Sequence, residues 1–189
     1  MEECPMNTNT IIVLAVVVVA VLAVVFFLQQ RTRSQKLHSK FGGEYDRAVE
    51  ETGSRRKAEL DLQDRARRVE AFNIHPLAAA DRDRFVDSWR KVQSEFVDDP
   101  RSAVVHADVL LGDVMSTRGY PVGDFSQRAA DLSVDHPVVV SNYRAAHDIA
   151  LRQAGGDATT EDLRQAMVHY KSLFQELVTD AQSGSARAA

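Results

Sequence analysis

Residues 11–28 read IIVLAVVVVAVLAVVFFL, eighteen positions without one polar side chain. As a helix rising about 1.5 Å per residue the run is roughly 27 Å long, close to the hydrocarbon thickness of a bilayer, so a transmembrane helix is expected there. A cleaved signal peptide has a basic front, a shorter apolar region and a small-residue cleavage site. Here Glu2 and Glu3 precede the run and Gln29-Gln30-Arg31 follows it, which reads as a retained single-pass anchor.

The charges around the run set its expected orientation. Residues 29–40 carry Arg31, Arg33, Lys36 and Lys40 and no acid, whereas the amino-terminal flank is acidic. The positive-inside rule then puts the amino terminus outside and the large domain in the cytoplasm, with an extracytoplasmic domain as the alternative. The same four cations have a second reading as contacts to anionic headgroups of the lipid bilayer. From Asn73 onward 17 acids stand against 12 Lys and Arg. A nucleic-acid surface needs a basic stripe to offset phosphate charge, so no nucleic-acid partner is expected. Cys4 is the only cysteine, which excludes an internal disulfide. It precedes the apolar run, unlike a lipid-attachment cysteine; a disulfide between two anchors is the sharper alternative to no role.

Working outward, the chain divides into a short tail (1–10), the transmembrane helix (11–28), a basic juxtamembrane linker (29–43) broken at Phe41-Gly42-Gly43, a charged helical spacer (44–72), a compact bundle of about four to five helices (73–180) and a flexible tail (181–189). The fold class is all-α, since no alternating strand pattern or Asn-Gly hairpin signal competes. Residues 44–70 hold eight acids and seven bases. Acid-to-base pairs at i,i+4 (Glu51 to Arg55, Asp61 to Arg65, Asp64 to Arg68) suit an exposed helix. Tyr45, Val49, Leu60, Leu62, Val69 and Phe72 do not hold a coiled-coil heptad. The segment therefore reads as a wet spacer, interrupted at Gly53, holding the domain up to about 40 Å from the bilayer, with its far end docking through Val69, Phe72 and Ile74.

In the bundle, Phe85, Trp89, Val92 and Phe96 mark the inner face of a helix over about 79–96. Asp99-Pro100 reads as the cap and first residue of the next helix, with Val104, Ala107, Leu111, Val114 and Met115 inward. Arg118-Gly119-Tyr120-Pro121 is its stop. Asp124 caps a short helix through Phe125, Ala129 and Leu132. Ser133-Val134-Asp135-His136-Pro137 reads as a link into a helix over 137–154, with Ser133 or Asp135 as its cap and Val139, Val140, Tyr143, Ala146 and Ala150 inward. Thr159 and Asp162 form a variant capping box for a last helix to about Asp180, with Leu163, Ala166, Met167, Tyr170, Phe174 and Leu177 inward.

The stretches FGGEYDRAVEETGSRR, FVDDP, RGYPVGDFSQRAADLSVDHP and TEDLRQAMVHYKSLFQELV, spread over residues 41–178, resemble a group of bacterial proteins with an N-terminal membrane segment, usually described as hypothetical, membrane or secreted. The resemblance implies a bacterial cell membrane and carries no activity, cofactor or site residue.

Two constellations carry possible chemistry. Ser133, Asp135 and His136 have the residue types of a hydrolytic triad, but sequence neighbours rarely converge as a triad must, and no Gly-x-Ser-x-Gly turn occurs. His147 and His169 are candidate metal ligands if the last two helices form a hairpin that brings them level, about 12 and 15 Å from the turn. Asp108 or His106 would then be a third ligand, and Asp148 after His147 resembles metal-dependent phosphohydrolases. Buried structural histidines explain the same letters. No Walker loop, Gly-x-Gly-x-x-Gly turn or Cys-x-x-Cys pair is present, and no cofactor is expected. The functional expectation is a non-catalytic protein-interaction or scaffolding module, acting on an unknown protein or on itself. A membrane-tethered metal-dependent hydrolase using His147 and His169 is the alternative.

Overall fold

The structure, a computed structural model, describes residues 8–179 apart from Val122. The side chains of residues 8–13, 15, 23 and 26–30 are not described. The expected tails 1–10 and 181–189, with Cys4, fall wholly or almost wholly outside this set. Among the described residues the fold is all-helical: α1 (Thr8–Phe41), α2 (Gly43–Thr52), α3 (Arg55–Glu70), α4 (Ala79–Asp98), α5 (Pro100–Thr117), α6 (Phe125–Asp135), α7 (Val140–Ala154) and α8 (Thr160–Thr179).

Among the described residues no helix is long and apolar enough to cross a membrane. The span expected over 11–28 falls in part on side chains that are not described, so the run as a whole lies outside that statement. Its backbone is helical, and the helix does not end with the apolar run. Residues 29–40, expected as a linker, continue α1 without interruption to Phe41, where Gly42 (φ 51°) turns the chain.

The spacer expected over 44–72 is instead a folded pair. Gly53 adopts a left-handed conformation (φ 63°, ψ 10°) that closes α2, and α3 returns against it. Phe41, Tyr45, Ala48, Ala58, Leu62 and Val69 form a small core with Val134 of α6. The segment looked wet because two of its inward positions are alanines and many of its charges pair across helices. Of the three expected i,i+4 pairs only Asp61 to Arg65 forms, at 2.6 Å. The break at Gly53 turns Glu51 back to Arg47, Asp64 meets Arg67, and Arg68 reaches Asp131 of α6 at 2.9 Å. The expected docking of the far end is present: Val69 is buried, and Phe72 and Ile74 are partly buried against the same core.

The main core belongs to α4–α8. α8 packs on α5 and α7, α4 packs on α5, and α6 joins this group to α3. Phe85, Trp89 and Val92 of α4 are buried, with Trp89 stacked on Phe174 at 4.8 Å between ring centroids. Expected caps recur with their geometry. Asp99 accepts from the Ser102 amide at 3.1 Å, and Asp124 from the Gln127 amide at 2.8 Å. Thr159 and Asp162 exchange hydrogen bonds, with the Thr159 amide donating at 2.9 Å and the Asp162 amide at 3.1 Å. Gly119 (φ 93°) ends α5 where a Cβ would collide with the Asn73 carbonyl.

The link expected over 133–137 is mostly helix. α6 runs through Asp135 because the His136 amide still bonds to the Leu132 carbonyl at 2.8 Å; Pro137 then forces His136 out of the helical region. α7 accordingly starts at Val140, and neither Ser133 nor Asp135 caps it.

Candidate functional site

Three buried polar arrangements have the density of charge and hydrogen-bonding groups that a site requires. The first is in the main core. Asp108 of α5, Arg128 of α6, Tyr143 and His147 of α7 and Tyr170 of α8 meet where four helices converge. Arg128 approaches Asp108 at 3.7 Å and lies 5.9 Å from the centre of the Tyr143 ring. Gly112, one turn after Asp108, makes room: a Cβ there would stand 3.0 Å from the Arg128 guanidinium. Tyr143 and Tyr170 are fully buried. Neither hydroxyl makes a hydrogen bond of ordinary geometry, and the same holds for Asp108 Oδ1 and Arg128 Nε. Burial, then the nearby Asp108 charge, pushes both phenols well above their usual range. They are therefore protonated donors at physiological pH. His147 lies face to face on Phe125, ring centroids 3.5 Å apart, and burial lowers its pKa against the opposing pull of Asp108 and Asp148. A carboxylate, a guanidinium, two protonated phenols and an imidazole biased toward neutrality are thus gathered in one interior.

The second arrangement joins the two cores. Glu44, only 5% exposed, accepts two hydrogen bonds from Arg144 of α7, at 2.9 and 3.2 Å. Arg65 of α3 stands 3.6 Å away and Arg47 3.8 Å away. Arg65 is also held by Asp61, and Arg47 by Glu51. Glu44 was placed at the start of the spacer by sequence reading. Arg65 and Arg144 lie 21 and 100 positions further on, beyond any local pattern. A surface cavity of about 510 Å³ opens beside this hub between Glu44, Arg47, Arg144 and Asp148.

The third is a tyrosine hub at the base of α1. The Tyr45 hydroxyl meets Ser34 at 3.1 Å, donates to Glu59 at 2.9 Å and accepts from Arg55 Nε at 2.7 Å. It locks α1, α2 and α3 together.

The residues singled out from sequence do not assemble into an active centre. Ser133 donates to the Ala130 carbonyl at 2.6 Å, Asp135 accepts from Tyr120 at 3.1 Å, and His136 faces Glu176 at 3.5 Å. The α7–α8 hairpin expected for the metal reading does form, but its register separates the histidines. His169 meets Asn142 at 3.1 Å and Asn142 bonds Ser172 at 3.2 Å, so His169 lies level with the start of α7. His147 lies more than a turn further along α7 and faces Phe125. His106 pairs with Glu95 on the exposed side of α4 and α5 at 2.8 Å, and Asp148 lines the surface cavity beside Glu44. Among the described residues no group of three or more His, Cys, Asp or Glu is placed to hold a metal ion.

No family model, curated protein or solved structure matches the chain. The functional reading therefore rests on the residues themselves. Three signals of the internal sites were legible in retrospect: Gly112 beside an apolar face, two tyrosines at inward positions of adjacent helices, and a glutamate directly after Gly42-Gly43.

Proposed function

We propose that this is a single-pass protein of a bacterial cell membrane, anchored by the apolar part of α1, whose cytoplasmic helical body binds another protein or a second copy of itself. Its work is recruitment or scaffolding rather than catalysis. The observation that carries the reading is the surface of α1. Leu14, Val16, Val17, Val18, Val19, Val21, Leu22, Val24 and Val25 are each 44–65% exposed, on every side of the helix. A helix apolar all round is stable only when something apolar surrounds it, and among the described residues no other helix covers these side chains. Lipid is the solvent that suits it, and the cations that follow Leu28 favour a cytoplasmic body.

Carbonate extraction of cells expressing the full chain tests the anchor: the product is expected in the membrane pellet, and recovery from the wash would refute it. Orientation is tested by a membrane-impermeant maleimide on intact spheroplasts, which labels Cys4 if the amino terminus faces out; labelling only after lysis would reverse the assignment. In-cell crosslinking is expected to recover a protein partner or a self-adduct, and recovery of neither would count against scaffolding.

A further inference from the structure

The base of α1 and the outer face of α3 enclose a groove of about 450 Å³ lined by Arg33, Lys36, Leu37, Lys40, Gln63, Ala66, Arg67 and Glu70. Four cations there face one carboxylate. Arg33, Lys36 and Lys40 recur at i, i+3 and i+7, one stripe of the helix. Among the described residues none of the three makes an ion pair, and Lys40 only lies over the Phe41 ring at 5.8 Å. This differs from most arginines of α2 and α3: Arg47, Arg55, Arg65, Arg67 and Arg68 each meet a carboxylate, Arg56 being the exception among the described residues. Three unpaired cations, and Arg67 already held by Asp64, thus stand over a concavity lined also by the apolar Leu37 and Ala66. That combination suits a ligand with an anionic head and a greasy continuation.

Position along α1 narrows the ligand. Arg33, Lys36 and Lys40 follow Leu28 by about 7.5, 12 and 18 Å of helix. The headgroup layer is about 5–8 Å deep on each side of the hydrocarbon. Side chains on a helix lean toward its amino terminus, here the membrane side, so the Arg33 and Lys36 head groups reach back into that layer. We infer that the α1–α3 groove binds the phosphate of one anionic phospholipid, fixing the body of the protein against the inner leaflet. The inference rests on the reading of α1 as an anchor.

The test uses the full chain in nanodiscs of phosphatidylcholine with increasing phosphatidylglycerol, reading acylation of Lys36 and of Lys57, a cation of α3 outside the groove, together with amide exchange over residues 63–70. Lys36 acylation and exchange over 63–70 are expected to slow as phosphatidylglycerol rises, with Lys57 unchanged. Each cation near an anionic surface contributes enough that Arg33→Gln or Arg67→Gln should require about fivefold more phosphatidylglycerol for half-protection. Arg90→Gln, on α4 and paired with Asp87, should not. Equal slowing at Lys36 and Lys57 would mean diffuse attraction and overturn the site. Protection by millimolar inorganic phosphate in pure phosphatidylcholine discs would overturn the lipid source. A chain that enters the discs without any protection removes the groove and leaves the anchor; a chain that does not enter the discs removes both.

Discussion

Replacing Glu44 by alanine gives the most demanding test of the tertiary reading. In the structure this carboxylate is 5% exposed and, among the described residues, is the only acid bonded to Arg144, which is itself largely buried. Removing one member of a buried, hydrogen-bonded ion pair costs about 3–5 kcal/mol, mainly because the other charge stays buried without a partner. The neighbouring arginines moderate this. Arg65 keeps Asp61 and Arg47 keeps Glu51, so only Arg144 is stranded and the lower end, about 3 kcal/mol, is expected. The loss should be local, because Glu44 joins α2 and α3 to α7 and plays no part in the α4–α8 core. Amide exchange of the full chain in detergent should therefore rise across α2 and α3 while α5 and α8 keep their protection. Glu44→Gln keeps one acceptor oxygen and should lose less. The double variant Glu44→Ala, Arg144→Ala should recover much of the loss, since it removes the stranded cation. A Glu44→Ala protein within about 0.5 kcal/mol of the parent, with unchanged exchange in α2 and α3, would refute the hub.

Further outcomes follow from individual residues. Gly119→Ala combines a left-handed backbone with a collision against the Asn73 carbonyl, so it should cost at least about 2 kcal/mol in denaturant unfolding, whereas Gly53→Ala, with open space around its Cβ position, should cost only about 1–2 kcal/mol. Tyr170→Phe removes a buried hydroxyl that faces Asp108 without a hydrogen bond of ordinary geometry, so it should change stability by no more than about 1 kcal/mol; a larger loss would mean that Asp108 is a strong partner. His147, lowered by burial, should titrate in NMR below the usual histidine value. Because the unfolded chain takes up that proton first, stability should fall as pH drops from about 6.5 toward the folded pKa. Replacing His147 by Gln should flatten the fall in stability below about pH 6.5, and an unchanged slope would refute the assignment.

How far the fold was legible depends on how far each signal reaches. Asp99-Pro100, Asp124 and the Thr159–Asp162 box act within one turn of the residues that carry them, and each appears in the structure with its expected bond. The Phe85-Trp89-Val92 and Leu163-Met167-Tyr170 stripes likewise depend only on the 3.6-residue period and are buried as expected. The two ends of α6 show the limit. Its start was set by a local cap, but its end was misplaced because Ser133 and Asp135 resemble caps while their bonds to Ala130 and Tyr120 keep them inside the helix and its packing.

The sequence by itself determined the helical class, most helix starts and stops, and an apolar first helix followed by cations. These are properties of neighbours along the chain, where periodicity, proline and side-chain caps act over a few residues. Only the tertiary structure decided that the charged segment after Gly43 folds back as α2 and α3, that Glu44 is a buried ionic hub, that Asp108 and Arg128 share an interior with two tyrosines, and that His147 and His169 are separated. Each depends on partners in other helices, and helix packing brings those partners together without any local pattern to announce them.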